Sequence, residues 1–319
     1  ERREYMKKIS ILIPCYNEED NVQPIYEAVS NILKTECSSY DYEILFIDNH
    51  STDATRQILR KMCEKDDKVK AIFNVKNFGQ FNSPFYGILQ ATGDCVISMV
   101  CDFQDPVELI PQYVREWENG YKIVIGIKTN SEENKFVYFC RSLYYKFIKK
   151  FSEVEQIEHF TGSGLYDRDF VEVLRGLDDT KPFLRGIVAE LGYKRKEIPY
   201  TQPKKKAGKS KNNWYTLYDA AMLSITSYTK IGLRLCTFFG FALGLICAVI
   251  GLAYLIYKLI YWDSFIAGLA PITIGLFFIG AVQLIFIGVL GEYILNINQR
   301  VMKRPLVIEE ERLNFDKEK

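Results

Sequence analysis

The run Cys101-Asp102-Phe103-Gln104-Asp105-Pro106 gathers two carboxylates and an amide within four residues. Oxygen ligands this close together suit Mg²⁺ or Mn²⁺ bound to a diphosphate. Such an ion would neutralise the charge that builds on a departing nucleotide. A solvated turn with Asp105 capping a helix fits the same residues when they are taken alone. A second cluster, Pro14-Cys-Tyr-Asn-Glu-Glu19, could hold a nucleotide at a helix start. In a third, Asp48-Asn-His-Ser-Thr-Asp53, the first carboxylate could accept hydrogen bonds from a base or ribose. Ser51 or Asp53 there would serve equally as a helix cap. A fourth, Ala207-Gly-Lys-Ser-Lys211, joins flexible backbone, two cations and a hydroxyl. It fits a bound phosphate and also attraction to anionic lipid. Gly162-Ser-Gly164 belongs to no G-x-G-x-x-G fingerprint, which argues against a dinucleotide fold.

These clusters need elements to position them. Apolar runs at Ile9–Pro14, Tyr42–Ile47, Val69–Val75, Cys95–Val100 and Ile123–Ile127 predict buried strands. Apolar residues at helical spacing over Asn21–Lys34, then through Met62, Gln80–Ala91 and Val107–Asn119, predict the helices between them, with Ser51 or Thr52 capping the second. Strands alternating with helices imply an α/β domain with a mainly parallel sheet. Ligands of such sheets bind beyond the carboxyl ends of the strands, where the first three clusters fall.

The formal net charge of +1 over 319 residues gives no global field that points to nucleic acid. Eight cysteines form no C-x-x-C pair and histidines number two, which argues against zinc and for reduced core cysteines. No signal peptide is expected, because Ile9–Pro14 is too short and polar residues follow at once. Met6-Lys-Lys8 reads as a natural start, so Glu1–Tyr5 are left out of the fold. The C-terminal third changes character. Leu235–Tyr257 and Pro271–Gly291 carry no charge, and each is long enough to span a hydrocarbon core of about 30 Å. Lys204-Lys-Lys206, Lys209, Lys211, Lys230 and Arg234 precede the first span, and Arg300, Lys303 and Arg304 follow the second. The positive-inside rule then places both ends in the cytosol. Trp214, Leu217, Tyr218, Ala221, Met222, Ile225 and Tyr228 describe an amphipathic interfacial helix, and Asn134–Phe151 a second candidate. Four regions result: a catalytic domain over 7–212, an interfacial helix over 213–234, a transmembrane hairpin over 235–295 and a C-terminal tail over 296–319.

Taken in order, the motifs resemble those of family 2 glycosyltransferases of the polyprenyl-phosphate type. The resemblance runs from Lys7 to about Val307. It includes Ile13-Pro-Cys-Tyr-Asn-Glu-Glu19, Asp48 with Ser51-Thr-Asp53, Lys76-Asn-Phe-Gly-Gln80, Asp102-Phe-Gln-Asp-Pro106, Phe183-Leu-Arg-Gly186, Ala207-Gly-Lys-Ser-Lys211, Gly291-Glu-Tyr293 and Lys303-Arg-Pro305. It implies a GT-A fold and an inverting transfer from a UDP-sugar (glucose first, N-acetylglucosamine next) to undecaprenyl phosphate at the cytosolic membrane face. It implies further that Pro14, Tyr16, Asn17, Glu18, Asp48, Asn77, Gly79 and Gln80 meet the nucleotide-sugar. Asp102 and Gln104 would ligate Mg²⁺ or Mn²⁺, with Asp102 and Asp105 as the catalytic carboxylates. Arg141, Lys209, Ser210 and Lys211 would hold the lipid phosphate, in an integral protein of the cytoplasmic membrane that assembles as a homo-oligomer, by analogy a tetramer.

Three positions depart from the family pattern. Val100 stands where an Asp-x-Asp pair often begins. Asn49 replaces a frequent second Asp. Thr161-Gly-Ser-Gly164 stands where many relatives carry Gly-Asp-Phe-Arg, so no essential general base is expected. The rival readings are a catalytically inactive nucleotide-sugar- or lipid-binding partner, a processive synthase and a flippase. The synthase lacks its Gln-x-x-Arg-Trp motif here, and two spans are few for a flippase.

Overall fold

The computed structural model describes residues 6–130, 157, 159–177, 179–203, 222, 231–260, 269–302 and 304–315. The chain divides into two units. One comprises Glu1–Tyr145, Val154–Asn212 and Met302–Lys319, and the other Lys146–Glu153 and Asn213–Val301.

The first unit is an α/β domain. Its strands are β1 (Lys8–Cys15), β2 (Asp41–Asp48), β3 (Val69–Asn74), β4 (Cys95–Ser98), β5 (Ile123–Asn130), β6 (Phe160–Asp167), β7 (Arg195–Thr201) and β8 (Glu309–Leu313). The helices are α1 (Val22–Glu36), α2 (Thr55–Lys65), α3 (Gly79–Gln90), α4 (Leu109–Glu118), α5 (Arg168–Gly176) and α6 (Leu184–Glu190). The described strands form one sheet in the order β7-β5-β6-β4-β1-β2-β3-β8. The β4-β1-β2-β3 block is parallel, as is β5 with β7, whereas β6 runs antiparallel to both its neighbours and β8 to β3. The sheet is therefore mixed and mostly parallel.

Strand alternation builds a core on each face. Ile9, Ile11 and Ile13 of β1 point with Ile44 and Phe46 of β2 to the layer that holds Val22, Ile25, Leu59 and Tyr113. Leu12, Leu45 and Ile47 point the other way, to Phe85, Ile88, Phe170 and Val171. Helix α3 lies so close that a Cβ on Gly87 would meet Leu12 Cδ1 at 2.5 Å.

Strands β6, β7 and β8 fall outside the sequence expectation. The region 296–319 read as a tail, yet Glu309–Leu313 closes the sheet edge against β3, pairing Asn74 with Glu309 and Ala71 with Leu313. Both edge strands are polar. β8 reads EEERL, and β7 (RKEIPYT) carries Pro199, devices that keep an exposed edge from recruiting other strands. The second helix also starts later than a Ser51 or Thr52 cap implies: it begins at Thr55, whose N–H is accepted by Asp53.

The second unit contains α7 (Ile231–Ile260) and α8 (Leu269–Val301). Among the described residues one helix is long and apolar enough to cross a membrane, over Phe278–Asn298, and the apolar stretch found in α7 is the shorter Thr237–Ile246. Large apolar side chains here stand open, Phe241 by 77% and Leu284 by 71%. The interfacial helix expected over 213–234 and the candidate at Asn134–Phe151 fall almost wholly outside the described residues.

At the amino edge of the sheet, Glu43 is buried beneath two lysines. Lys8 Nζ and Lys70 Nζ each lie 2.8 Å from Oε2, and Ser10 Oγ and the Thr92 N–H donate to Oε1 at 2.6 and 2.7 Å. Burial alone pushes the carboxyl up, but these donors outweigh it and hold the group at about 2 against an ordinary 4.5. A depressed carboxylate stabilises the fold fully above its unfolded pKa, and that contribution is lost as pH falls through the folded value. The difference corresponds to roughly 3 kcal/mol. The melting temperature is expected to fall between about pH 4.5 and pH 2, and Glu43→Gln is expected to flatten that limb and melt lower at neutral pH, measured by thermal melts across pH.

Candidate active site

Strand β1 lies between β2 and β4, so successive crossovers wind away from it in opposite directions. That reversal opens a crevice beyond the carboxyl ends of β1 and β4. The loops after β1, β2, β3 and β4 all emerge at this edge. So does the start of β6, because Gly164 pairs with Ser98. Of the five described non-glycine residues with positive φ, Asn17, His50, Phe103 and His159 (53°, 69°, 61° and 60°) lie along it, and Asn314 (59°) follows β8 at the other edge. Non-glycine residues in this region are uncommon, and their clustering marks a functional edge.

The loops after β1 and β2 are laced together. The Asn17 N–H donates to Ser51 Oγ at 2.8 Å, and Asn17 Oδ1 accepts from the Thr52 N–H at 2.8 Å. The Glu18 N–H donates to Thr55 Oγ1 at 2.9 Å, and the Ala54 N–H to Glu19 at 2.9 Å. Ser51 and Thr52 thus bind the neighbouring loop instead of capping α2. Pro14, Tyr16, Asn17 and Glu18 remain half-buried along the crevice.

Asp48 sits at the base of the loop after β2. It is fully buried, accepting from Arg56 Nε at 2.7 Å and from the Ser51 N–H at 3.1 Å. It therefore holds the loop from beneath. Arg56 escaped the sequence reading because nothing in its own neighbourhood marks it; it reaches Asp48 only because α2 turns back over β2.

Asn49 is the hub of the third loop. Its Nδ2 donates to Asn77 Oδ1 at 2.9 Å and to the Gly79 carbonyl at 3.1 Å, while its Oδ1 accepts from the Phe78 N–H at 2.9 Å and from Asn74 Nδ2 at 3.2 Å. Only an amide can donate two bonds and accept two in this way, so Asn49 is fitted to this place. Asn77 and Gly79, with Gln80, are exposed at the same edge, and Gly79 holds φ +90°, a conformation that favours glycine.

In the fourth loop Asp102 is 9% exposed and accepts from the Gln104 N–H at 3.2 Å. Gln104 and Phe103 are half-buried, and Val100 is exposed. Asp105 faces inward: Oδ2 accepts from the Val100 N–H at 3.1 Å and Oδ1 from Tyr200 Oη at 2.8 Å. Burial pushes its carboxyl up, opposed by those two donors. Asp105 caps no helix; it fastens the Asp102 loop to β7 through Tyr200, a partner 95 residues away that local spacing could not reveal.

A divalent ion fits this donor set in one way. Among the described residues no group of three His, Cys, Asp or Glu side chains could hold a metal by itself. Mg²⁺ is commonly bound by one or two carboxylates plus substrate phosphates, and Asp102 with Gln104 supplies that share. Asp167 lies at the opposite edge, paired with Cys95 at the start of β4. Trp117 Nε1 at 2.6 Å, Lys122 Nζ at 2.9 Å and the Asp169 N–H at 3.0 Å occupy it. Gly162 has φ +102°, and a Cβ on Gly164 would collide with the Val124 carbonyl, so backbone geometry sets that stretch. Arg141, Lys209, Ser210 and Lys211 lie outside the described residues.

An α/β domain with a mostly parallel sheet and chemistry at its switch point is the GT-A-like arrangement of nucleotide-sugar transferases. Residues 10–174 match Glycosyl transferase family 2, and the chain belongs to that family. It is 31% identical over 302 residues to the prophage bactoprenol glucosyl transferase homolog of Escherichia coli (strain K12), covering 94% of this chain and 98% of that protein. It is 32% identical over 302 residues to the bactoprenol glucosyl transferase of Shigella phage SfII, covering 94% and 97%. Among solved structures, Staphylococcus aureus TarS 1–349 is 16% identical, with 69% of this chain and 64% of that one covered and a TM-score of 0.42.

Two substitutions test this assignment of roles. Asn49→Asp turns two donated bonds into contacts between acceptors and is expected to cost about 1–3 kcal/mol of stability, measured by denaturant unfolding. Asp167→Asn is expected to melt lower yet keep turnover within about threefold; a loss of about a thousandfold with the fold intact would assign it an acid–base role.

Proposed function

We propose that this glycosyltransferase moves glucose from UDP-glucose to undecaprenyl phosphate at the cytosolic face of the cytoplasmic membrane, inverting the anomeric centre. The observation that carries the reading is the placement of the Asp102 loop at the switch point, next to the interlocked 14–18 and 48–53 loops. The names of relatives that align over nearly the whole chain support the sugar and the lipid.

The donor's nucleotide is held along Pro14, Tyr16, Asn17 and Glu18, with its diphosphate turned toward Asp102 and Gln104. A divalent ion bound there supplies charge neutralisation for the departing diphosphate. One oxygen of the lipid phosphate attacks the anomeric carbon as the bond from that carbon to the UDP oxygen breaks. The acceptor has its second pKa near 6 and is mostly dianionic at neutral pH. It needs positioning and screening, not proton removal. Arg141, Lys209, Ser210 and Lys211 supply the screening.

Topology supports access for a lipid-borne acceptor. β7 ends at the carboxyl edge, where Thr201 pairs with Asn130, and β8 begins there, where Glu309 pairs with Asn74. The chain thus leaves and rejoins its sheet at the edge that carries the chemistry. Because β7 and β8 belong to one sheet, any membrane crossing between Thr201 and Glu309 comes in even number. That favours a hairpin of α7 and α8 over a single span.

The test is transfer of labelled glucose from UDP-glucose to undecaprenyl phosphate by purified protein. Asp102→Ala is expected to lower the rate by about a thousandfold with UDP-glucose binding weakened; an unchanged rate would end the reading. Saturable donor binding without any transfer would favour an inactive partner instead. Val100→Asp restores a second carboxylate and is expected to lower the Mg²⁺ or Mn²⁺ concentration for half-maximal rate by about tenfold, because affinity follows ligand charge.

A further inference from the structure

We propose that Glu310, on the strand that follows α8, is a positioning residue for the donor nucleotide and acts through Arg56. The proposal rests on the 14–18 and 48–53 loops being the donor site.

Arg56 has three arms on three elements. Nε donates to Asp48 Oδ2 at 2.7 Å, Nη2 to the Asn74 carbonyl at 2.6 Å and Nη1 to Glu310 Oε2 at 2.8 Å. The guanidinium is planar and its donors are fixed relative to one another, so withdrawing one anchor lets the others turn. From Arg56 a continuous chain of bonds reaches the crevice. Asp48 accepts from the Ser51 N–H, Ser51 Oγ accepts from the Asn17 N–H, and Asn17 Oδ1 accepts from the Thr52 N–H. Asp48 is fully buried, and the Arg56 side chain is 15% exposed. Their charges are little screened, and Glu310 is the second carboxylate on the same cation. Without it, Nη1 is free to swing toward Asp48 and pull the Ser51–Asn17 links with it.

Other contacts dock β8 independently. Glu311 pairs with Arg60, Glu309 Oε1 accepts from Tyr86 Oη at 2.9 Å, and Asn314 Nδ2 donates to the Cys63 and Val69 carbonyls at 2.7 and 2.8 Å. A change at Glu310 therefore separates positioning from docking, and Glu311→Gln is the matched control: a charge lost from the same strand without touching Arg56.

The experiment uses the full chain in detergent micelles, with UDP plus Mg²⁺ titrated by calorimetry and steady-state transfer followed with UDP-glucose and undecaprenyl phosphate. Glu310→Gln is expected to weaken UDP binding and raise the UDP-glucose KM by about tenfold, leaving kcat and the undecaprenyl-phosphate KM unchanged. Arg56→Lys, which keeps the charge but loses the fork, is expected to do the same. Glu311→Gln is expected to match the parent. Parent-like UDP binding by Glu310→Gln would overturn the proposal. So would an equal loss in Glu311→Gln, or a Glu310→Gln protein that melts far below the parent, because either reduces Glu310 to a structural contact. If the parent itself binds no UDP, the donor-site reading falls, and this proposal falls with it.

Discussion

A parallel sheet wound outward in both directions from one strand must leave a gap between the first crossover and its opposite, and the chemistry of this protein depends on that gap. β1 carries β2 and β3 on one side and β4 on the other. No helix can cover the carboxyl ends of both β1 and β4, because their crossovers depart in opposite senses. The loops there are exposed to ligands on one side. On the other they are fixed by strands that are almost completely buried. Precision comes from the sheet, and access from the reversal.

Within that frame the carboxylates divide by depth. Asp48 and Asp105 are engaged with protein donors on both oxygens, and each ties its loop to a distant element, α2 or β7. Asp102 sits at the crevice beside half-exposed Gln104. Burying an anion is tolerable only where donors replace its water, so the two inner groups act as anchors. Loss of a carboxylate at Val100 is compatible with this arrangement, because a diphosphate-borne ion needs few protein ligands.

Much of the sheet was legible in the sequence. β1 to β5 are continuous apolar runs flanked by helices with a 3.6-residue period, and both cores follow from that pattern. The loops at the carboxyl edge were legible for the same reason, since strand ends place them. The edges were not. β7 and β8 hide their strand character under charge, and β8 lies some 235 residues beyond its partner β3 in a stretch that reads as a solvated tail. β6 alternates poorly because Gly162 and Gly164 answer to backbone geometry. Arg56, Asn49 and Tyr200 act through long-range hydrogen bonds, and no local spacing encodes those. Residue type and position marked Asp48, but only packing shows its bond to Arg56.

The backbone at β6 also bears on what acceptor the site suits. Gly162 holds a conformation that disfavours side chains, and Gly164 has no room for one beside the Val124 carbonyl. A side chain at Gly164 would press on the β5 strand paired with it, whereas at Gly162 the space is open and only the positive φ resists one. An alcohol acceptor needs a base as it attacks, because its oxygen holds a proton far more tightly than water at neutral pH will take it. A phosphate monoester has already lost that proton. The β6 rim carries Thr161 and Ser163 beside His159, and the phosphate acceptor of the proposed reaction asks no base of them.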